Sequence, residues 1–336
     1  MLVKSATLTH KPSGVRLETP LLIPSFSSKG FGGSREHSEV RYTLETASEF
    51  LTSVYLISAY DVAKGHIPQP AELPMKPDLI VLDSGGYEIS NEYDLSDVSR
   101  RLVPNQKWTV EDLQVVLDSW PSEIPAIFVS YDHPRERKPL AEQIADARKL
   151  FRRYNDQLHC FLLKPETVTQ TSMREVLASA IARAEEFASF DVVGLTEKGL
   201  GASPLDRMVA IARLRRALNE ANCNVPIHVF GSLDPLSISL YTLAGAEIFD
   251  GLTWLRYAFV KDRCVYTHSH ATLTYGIETK DNYQRLRVIS ENYYYLMELQ
   301  GNLREFVVTK DFHLLPQSNW MKQAYSRLQT RLSRHE

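Results

Sequence analysis

The sequence predicts an α/β protein of the (β/α)8 TIM-barrel type, with a C-terminal β-hairpin and helical additions. Eight short apolar runs lie between residues 21 and 250, and seven of them end in a polar residue or glycine. Apolar runs without alternation are typical of strands buried on both faces of a parallel sheet. Amphipathic stretches separate several of the runs, and repeated strand and helix is the barrel pattern. An open doubly wound sheet is the competing architecture, but it usually has fewer strands.

The eight predicted strands are residues 21–25, 54–58, 79–83, 126–132, 160–164, 191–195, 227–231 and 247–250. Pro24 marks the end of the first strand, because proline cannot donate a hydrogen bond to a sheet. Apolar residues recur at three-to-four spacing over residues 140–154, 173–190 and 205–220, which predicts helices there.

The C-terminal part changes character after Asp250. Residues 263–275 alternate in polarity and predict a β-hairpin, while residues 282–306 and 319–336 predict helices. No repeat or low-complexity linker divides the chain. We therefore expect a single domain over residues 1–336, with the barrel at about 15–260 and the additions at about 261–336.

Composition limits the functional classes. The chain has 336 residues, of which 43% are hydrophobic and 24% charged, as in ordinary globular proteins. Its net charge of −3 gives no overall basic field, so any nucleic-acid site must be a local basic patch. Three cysteines without a CxxC pair fit a reducing cytosol. With no signal-peptide pattern and no membrane-spanning run, we expect a cytoplasmic protein without membrane partners.

The segment from Leu79 to Glu88 is the most informative part of the chain. An aliphatic run ends abruptly in Asp83, Ser84 and two glycines. Asp83 follows a predicted strand, the position where α/β proteins place their chemistry, and glycines let backbone approach a flat ligand. The alternative is a plain strand-to-helix turn in which Asp83 caps the helix.

Polar residues follow most of the predicted strands. In a barrel they converge on one mouth: Asp83, Asp132, Lys164, Glu197, Gly231 and Asp250. Carboxylates that share a mouth repel one another, so at least one pKa should rise, which suits acid–base or nucleophilic roles. The alternative is that each acid only caps the helix that follows it.

Six short segments together resemble the motifs of the tRNA-guanine transglycosylases. Residues 82–88, LDSGGYE, resemble the DSGGFQ motif of that family, and residues 249–256, FDGLTWLR, resemble its FDxxxPTR segment. Four more follow the family's order: TPLLIP at 19–24, YD at 131–132, VGL at 193–195 and VFGS at 229–232. The order and approximate spacing hold from about residue 5 to 310.

The resemblance implies a base exchange in nucleic acid. Asp250 matches the nucleophile that attacks C1′ of a guanosine and forms a covalent aspartyl-glycosyl intermediate, and Asp83 matches the general acid/base. Guanine leaves, and a 7-deazaguanine such as 7-cyano-7-deazaguanine takes its place. An ionised aspartate suits this task because positive charge develops on the sugar.

The resemblance also implies the binding residues. Asp132 would accept hydrogen bonds from the base N1 and 2-amino groups, and the backbone of Gly194 and Leu195 would contact the base. Tyr87 would form a stacking wall. The implied base-binding set is completed by Ser84, Gly85, Lys164 and Gly231. The target nucleotide would flip out of its stack, with phosphates held by Arg256, Lys261 and Arg263.

The chain departs from the family at its metal site. The family's CxCxxC motif and distant histidine are absent, and Glu291 stands at the histidine position, so we expect no zinc at the usual site. Cys264, His268 and His270 share one side of the predicted hairpin strand and are possible metal ligands. Ordinary surface histidines are the favoured interpretation, and no cofactor is expected.

A second departure lies at residues 164–166, KPE, where the family has QGG. Lys164 then contacts another exocyclic group or a phosphate, or forms an internal ion pair. The missing zinc motif and compact chain favour the family branch that places 7-deazaguanines in DNA, and a tRNA enzyme is the alternative.

Two other classes stay open. One is a non-catalytic nucleic-acid-binding subunit that supports a catalytic partner. The other is an unrelated barrel enzyme, such as an aldolase with Lys164 as Schiff-base lysine or a nucleoside hydrolase.

The expected partners are DNA or tRNA, the 7-deazaguanine base, and a second copy or other proteins of a modification system. Aromatic residues 293–299 form either a dimer face or a face packed on the barrel.

Overall fold

The protein folds around an eight-stranded parallel sheet that curls into a barrel, as seen in a computed structural model. The structure describes residues 1–29, 38–72, 76–90, 94–97, 107–133, 136–165 and 170–334. Two short antiparallel strands, β1 (Thr7–Thr9) and β2 (Arg16–Glu18), precede the barrel.

All eight predicted barrel strands are confirmed. They are β3 (Leu21–Pro24), β4 (Val54–Ser58), β5 (Leu79–Asp83), β6 (Ala126–Val129), β7 (Leu158–Leu163), β8 (Val192–Thr196), β9 (Ile227–Phe230) and β10 (Ile248–Gly251). Each pairs in parallel with its neighbour from β4 to β10, and β10 pairs with β3. The barrel closes at a single bridge between Ser25 and Leu56, where the Phe26 amide donates to the Leu56 carbonyl over 2.9 Å. The alternative of an open sheet is therefore wrong.

Helices follow most strands. They are α1 (Glu39–Ala47), α2 (Ala59–Lys64), α3 (Gly86–Ile89), α4 (Val110–Asp118), α5 (Leu140–Phe151), α6 (Gln170–Ala182), α7 (Pro204–Glu220), α8 (Pro235–Ala244) and α9 (Thr253–Arg256). α7 and α8 begin with proline behind the capping side chains of Ser203 and Asp234, a strong helix start. The helix predicted over 173–190 ends earlier, because the backbone turns at Arg183 into a 3-10 helix, Ala184–Ser189.

The C-terminal hairpin lies earlier than predicted. It consists of β11 (Tyr257–Val260) and β12 (Arg263–Tyr266), joined by Lys261 and Asp262, which both have positive φ. Such a two-residue turn usually carries Asn-Gly, so Lys261 and Asp262 do not indicate a hairpin at this position. The prediction of strand over 267–275 is wrong: this stretch is α10 (Thr267–Tyr275), which buries Ala271. Residues 267–275 are helical because packing on the following helix outweighs their β propensity.

Two long helices complete the chain, as predicted: α11 (Asp281–Thr309) and α12 (Ser318–Ser333). α11 is tied to the barrel, since Gln300 accepts from the Leu22 amide and Asn292 donates to the carbonyls of Trp254 and Tyr257. Tyr293 packs on Phe50 with ring centroids 5.5 Å apart, so this aromatic ring faces the barrel. Among the described helices, none has the length and apolarity to cross a membrane.

A buried ion pair holds together the end of the barrel opposite the polar mouth. The side chains of Arg215 on α7 and Glu247 before β10 are completely buried, and their Nη2 and Oε2 atoms are 2.6 Å apart. Arg215 also donates to the carbonyls of Val225 and Gly245, and the Ile227 amide donates to Glu247. This network joins α7 to the starts of β9 and β10.

Replacing Glu247 with Ala should lower the free energy of unfolding by about 3–5 kcal/mol, because it leaves the Arg215 charge buried without its partner. Arg153→Ala breaks an exposed pair with Asp118 and should cost less than about 1 kcal/mol. Urea denaturation measures both. Equal losses in the two variants would show that the buried network does not hold the barrel together.

Candidate active site

A cavity of about 250 Å³ opens at the carboxyl ends of the barrel strands. All eight barrel strands, or the turns that follow them, contribute to its wall. Seven of the predicted site residues line it: Asp83, Ser84, Tyr87, Asp132, Lys164, Gly231 and Asp250. The strand ends thus bring the predicted polar residues together in one place.

Asp250 on β10 is fixed from two sides. Its Oδ2 accepts from the Ser25 hydroxyl over 2.7 Å, and its Oδ1 lies 2.9 Å from His228 Nε2. The His228 ring is buried and stacks on Phe230, with centroids 3.8 Å apart. Asp250 itself is 5% exposed. The carboxylate is therefore held in one orientation at the cavity wall, which suits a nucleophile.

Sequence reasoning missed His228 and Phe230. Both belong to β9, and His228 lies beside Ile248, two residues before Asp250 on the neighbouring strand. The available signal was the side-chain alternation of the strand, which places His228, Phe230 and Asp250 on the inner face.

Asp83, the last residue of β5, has an environment that favours its protonated form. Burial and the nearby Glu88 carboxylate raise the pKa of Asp83 to about 7, with Asp250 adding to this; the Gly85 amide and Lys164 act in the other direction. A carboxyl group with such a pKa carries and releases a proton near neutral pH.

Gly85 shapes the turn that holds Asp83. Its amide lies 3.2 Å from Asp83 Oδ2, and its φ of +91° is a conformation that favours glycine. A Cβ here would lie 2.7 Å from the Cβ of Tyr60 and 2.8 Å from Trp108 Nε1. Gly85 is also the N-cap of α3, so the alternative in which Asp83 caps this helix is wrong.

Asp132 and Lys164 form an ion pair in the cavity wall, with Nζ and Oδ2 2.8 Å apart. Arg137 contacts the other carboxylate oxygen but does not line the cavity. Lys164 thus takes part in an internal ion pair, one of the roles predicted for it; Glu166, two residues on, lies outside the described residues. The pair presents a donor next to an acceptor.

Glu197 forms the wall beyond β8. The Tyr241 hydroxyl donates to its Oε1 over 2.7 Å, and Arg207 Nη1 lies 3.9 Å away. Burial raises the pKa of Glu197 to about 7. The predicted position of this acid at the mouth is confirmed, and it adds a second titratable carboxyl across from Asp83.

Gly194 and Leu195 lie within β8, outside the cavity lining. A Cβ on Gly194 would lie 2.5 Å from Cε2 of Phe230, so this glycine makes room for the Phe230 ring. The ring, not Gly194, faces the cavity. Leu195 is fully buried in the main apolar core. The residues that line the cavity at this point are Thr196, which ends β8, and Glu197 to Gly199, which follow it.

The three predicted phosphate-binding residues have different surroundings. Arg256 donates to both carboxylate oxygens of Asp94, 2.7 and 2.9 Å away, and to the Ser96 hydroxyl, and its side chain is only 15% exposed. Lys261 and Arg263 are exposed on the β11–β12 hairpin. Only these two cations of the three therefore present their charge to solvent.

The possible metal ligands do not share a strand. Cys264 lies on β12 and donates to Asp234, while His268 and His270 lie on α10. The predicted common strand is therefore wrong. In the described part of the chain, no three His, Cys, Asp or Glu side chains are arranged to hold a metal ion.

Comparison with the models of known protein families and with curated proteins found no match to this chain.

Gly194→Ala should lower the free energy of unfolding by about 1–3 kcal/mol, because the added methyl group displaces the Phe230 ring. Gly301→Ala is the matched control: it lies inside α11 with open space around its Cβ and should raise stability by about 0.5–1 kcal/mol. Urea denaturation of both variants checks the difference in sign.

Asp83→Asn should raise stability in a pH-dependent way. The pKa of Asp83 rises from an ordinary 3.8 to about 7 on folding, so ionised Asp83 destabilises the folded state. This loss of stability grows as the pH rises between the two values and is complete above 7. The variant should gain on the order of 3 kcal/mol at pH 8 and little at pH 4. A gain that is equal at the two pH values would contradict the raised pKa.

Proposed function

We propose that this protein is a guanine transglycosylase that replaces guanine in a polynucleotide with a 7-deazaguanine, through a covalent intermediate on Asp250. The observation that carries the proposal is the pair of carboxyls facing one buried cavity: Asp250, fixed by Ser25 and His228, and Asp83, with a pKa of about 7. A purely binding subunit has no need of such a pair.

The first half of the reaction uses both carboxyls. As the bond between C1′ and the base nitrogen breaks, positive charge develops on the sugar, and the Asp250 carboxylate stabilises it and forms an ester bond to C1′. The electron pair of the broken bond stays with the departing base. Asp83 supplies the proton that makes the base a neutral leaving group.

The second half reverses these roles. Ionised Asp83 removes a proton from the ring nitrogen of the incoming base, which attacks C1′ and releases Asp250 as a carboxylate. The enzyme returns to its starting state, with the proton again on Asp83. Neither half needs a redox cofactor, because only bonds to C1′ and one proton are exchanged.

The Asp132–Lys164 pair supports recognition of a guanine-type edge. Guanine and 7-deazaguanines present an acceptor, O6, beside two donors, N1–H and the 2-amino group. Lys164 matches the acceptor and Asp132 matches the donors. Adenine places a donor where guanine has O6 and is therefore disfavoured. Tyr87 and Phe230 supply aromatic surface for the base in the same cavity.

The charge of the cavity supports a position of the sugar–phosphate backbone outside it. The lining carries six acids against the two lysines Lys164 and Lys198: Asp83, Glu88, Asp94, Asp132, Glu197 and Asp250. Phosphates are repelled from such a wall, while one flipped base can enter. Lys261 and Arg263 on the exposed hairpin are the candidates for phosphate contacts. DNA is the proposed polynucleotide, on the resemblance to the DNA-modifying branch.

Radiolabelled guanine should exchange into DNA, tested as duplex and as single strand beside bulk tRNA. Asp250→Asn should lower exchange by about 10³-fold or more while circular dichroism stays unchanged, because an amide is a poor nucleophile of nearly the same shape. A covalent DNA–protein adduct should appear on a denaturing gel with the unsubstituted protein and be lost in the variant.

Each outcome decides one part of the proposal. Exchange into tRNA alone would replace DNA as the substrate. Full exchange by Asp250→Asn would remove Asp250 from the nucleophile's role. Neither exchange nor adduct with any substrate would overturn the proposed reaction.

A further inference from the structure

Glu88 is a buried carboxyl group that the proposed reaction does not use. It lies on α3, is 5% exposed and lines the cavity close to Asp83. The Ser27 hydroxyl donates to its Oε1 over 2.6 Å and the Ser58 hydroxyl donates to its Oε2 over 2.7 Å. Ser58 ends β4 directly beside Asp83, the last residue of β5. Glu88 is thus anchored to the strand next to the proposed acid.

Glu88 and Asp83 are two buried carboxyl groups that line one cavity. Two carboxylates that share a buried site resist being ionised together. Both oxygens of Glu88 accept a short hydrogen bond from a hydroxyl group, and such bonds stabilise the charged form. Asp83 accepts one longer bond of 3.2 Å, from the Gly85 amide. Hydrogen bonds therefore support a negative charge on Glu88 more strongly than on Asp83.

The other groups around Asp83 do not change this difference between Glu88 and Asp83. Lys164 is the nearby cation, and its Nζ is paired with Asp132. Asp250 across the cavity adds negative charge, and Cys160 on β7 is a buried thiol whose pKa is raised by burial. Burial and the Glu88 charge likewise raise the pKa of Asp61.

We propose that Glu88 is a positioning residue whose fixed negative charge keeps a proton on Asp83, so that Asp83 enters each exchange cycle as an acid. The proposal rests on the proposed function for its role in the reaction. Glu88 contributes no atom to the bonds that change. When Asp83 gives its proton to the departing base, it becomes a carboxylate beside Glu88. The repulsion between the two then makes it a stronger base toward the incoming base.

The motif that residues 82–88 resemble has glutamine where this chain has Glu88. Glu88→Gln is therefore a nearly isosteric test, because it removes the charge and keeps a group that can bond to Ser27 and Ser58. We expect the midpoint for loss of exchange at high pH to move down by about one pH unit. Exchange should fall about tenfold at pH 8 and stay within about 1.5-fold at pH 5.

Infrared difference spectroscopy gives a readout that needs no activity. The protonated carboxyl band that disappears in Asp83→Asn should titrate near pH 7 in the unsubstituted protein. In Glu88→Gln the same band should titrate about one pH unit lower. Glu123→Gln, at an exposed position before β6, is the matched control and should leave the band unchanged.

Glu88→Ala is a second variant, which keeps the test decisive if Glu88→Gln fails to fold. It removes the carboxylate altogether, so the Asp83 band should again titrate at lower pH. An unmoved band in the folded variants, or a loss of exchange that is equal at pH 5 and 8, would overturn the proposal. If the unsubstituted protein exchanges no base, the proposed function fails, and the infrared titration still decides whether Glu88 controls the proton on Asp83.

Discussion

Repulsion among buried carboxyls at the barrel mouth is the constraint on which the rest of the site depends. Parallel strands bring Asp83, Asp250 and their neighbours to one small cavity, in whose wall both side chains are largely buried. Each acid there has its own local support: two donors for Asp250, an amide for Asp83 and two cations for Asp132. Because their hydrogen-bond and ion-pair partners differ, these carboxyl groups release their protons at different pH values, and similar side chains can take different roles.

The barrel strands and the acids at their ends could be predicted from the sequence, for a physical reason. A parallel strand buried on both faces must be apolar, so a run such as residues 79–83 is recognisable in the sequence. The end of the run locates the polar residues at the mouth of the barrel. The positions of Asp83, Asp132 and Asp250 followed directly. The hairpin was misplaced because its turn residues, Lys261 and Asp262, are unusual for positive φ.

The supports of the site could not be predicted, because they come from segments far apart in sequence. Ser25 is 225 residues from Asp250, and Ser27 is 61 residues from Glu88. Gly194 illustrates the same limit. Its place in a base-binding motif indicated a ligand contact, whereas the space above it is filled by Phe230, a residue of the neighbouring strand. Such relations become visible only when the strand register is known.

Ser25 belongs to two structures at once. Its backbone forms the bridge to Leu56 that closes the barrel between β3 and β4, and its hydroxyl holds Asp250. Because one bridge joins these strands, this seam is the part of the barrel wall with the fewest backbone hydrogen bonds. Opening of the seam would leave Ser25 attached only to β10, where its amide donates to the Gly251 carbonyl over 3.3 Å, while the other seven strand pairings remain and His228 still holds Asp250. The closure of the barrel wall and one of the two hydrogen bonds that hold the proposed nucleophile therefore depend on the same serine.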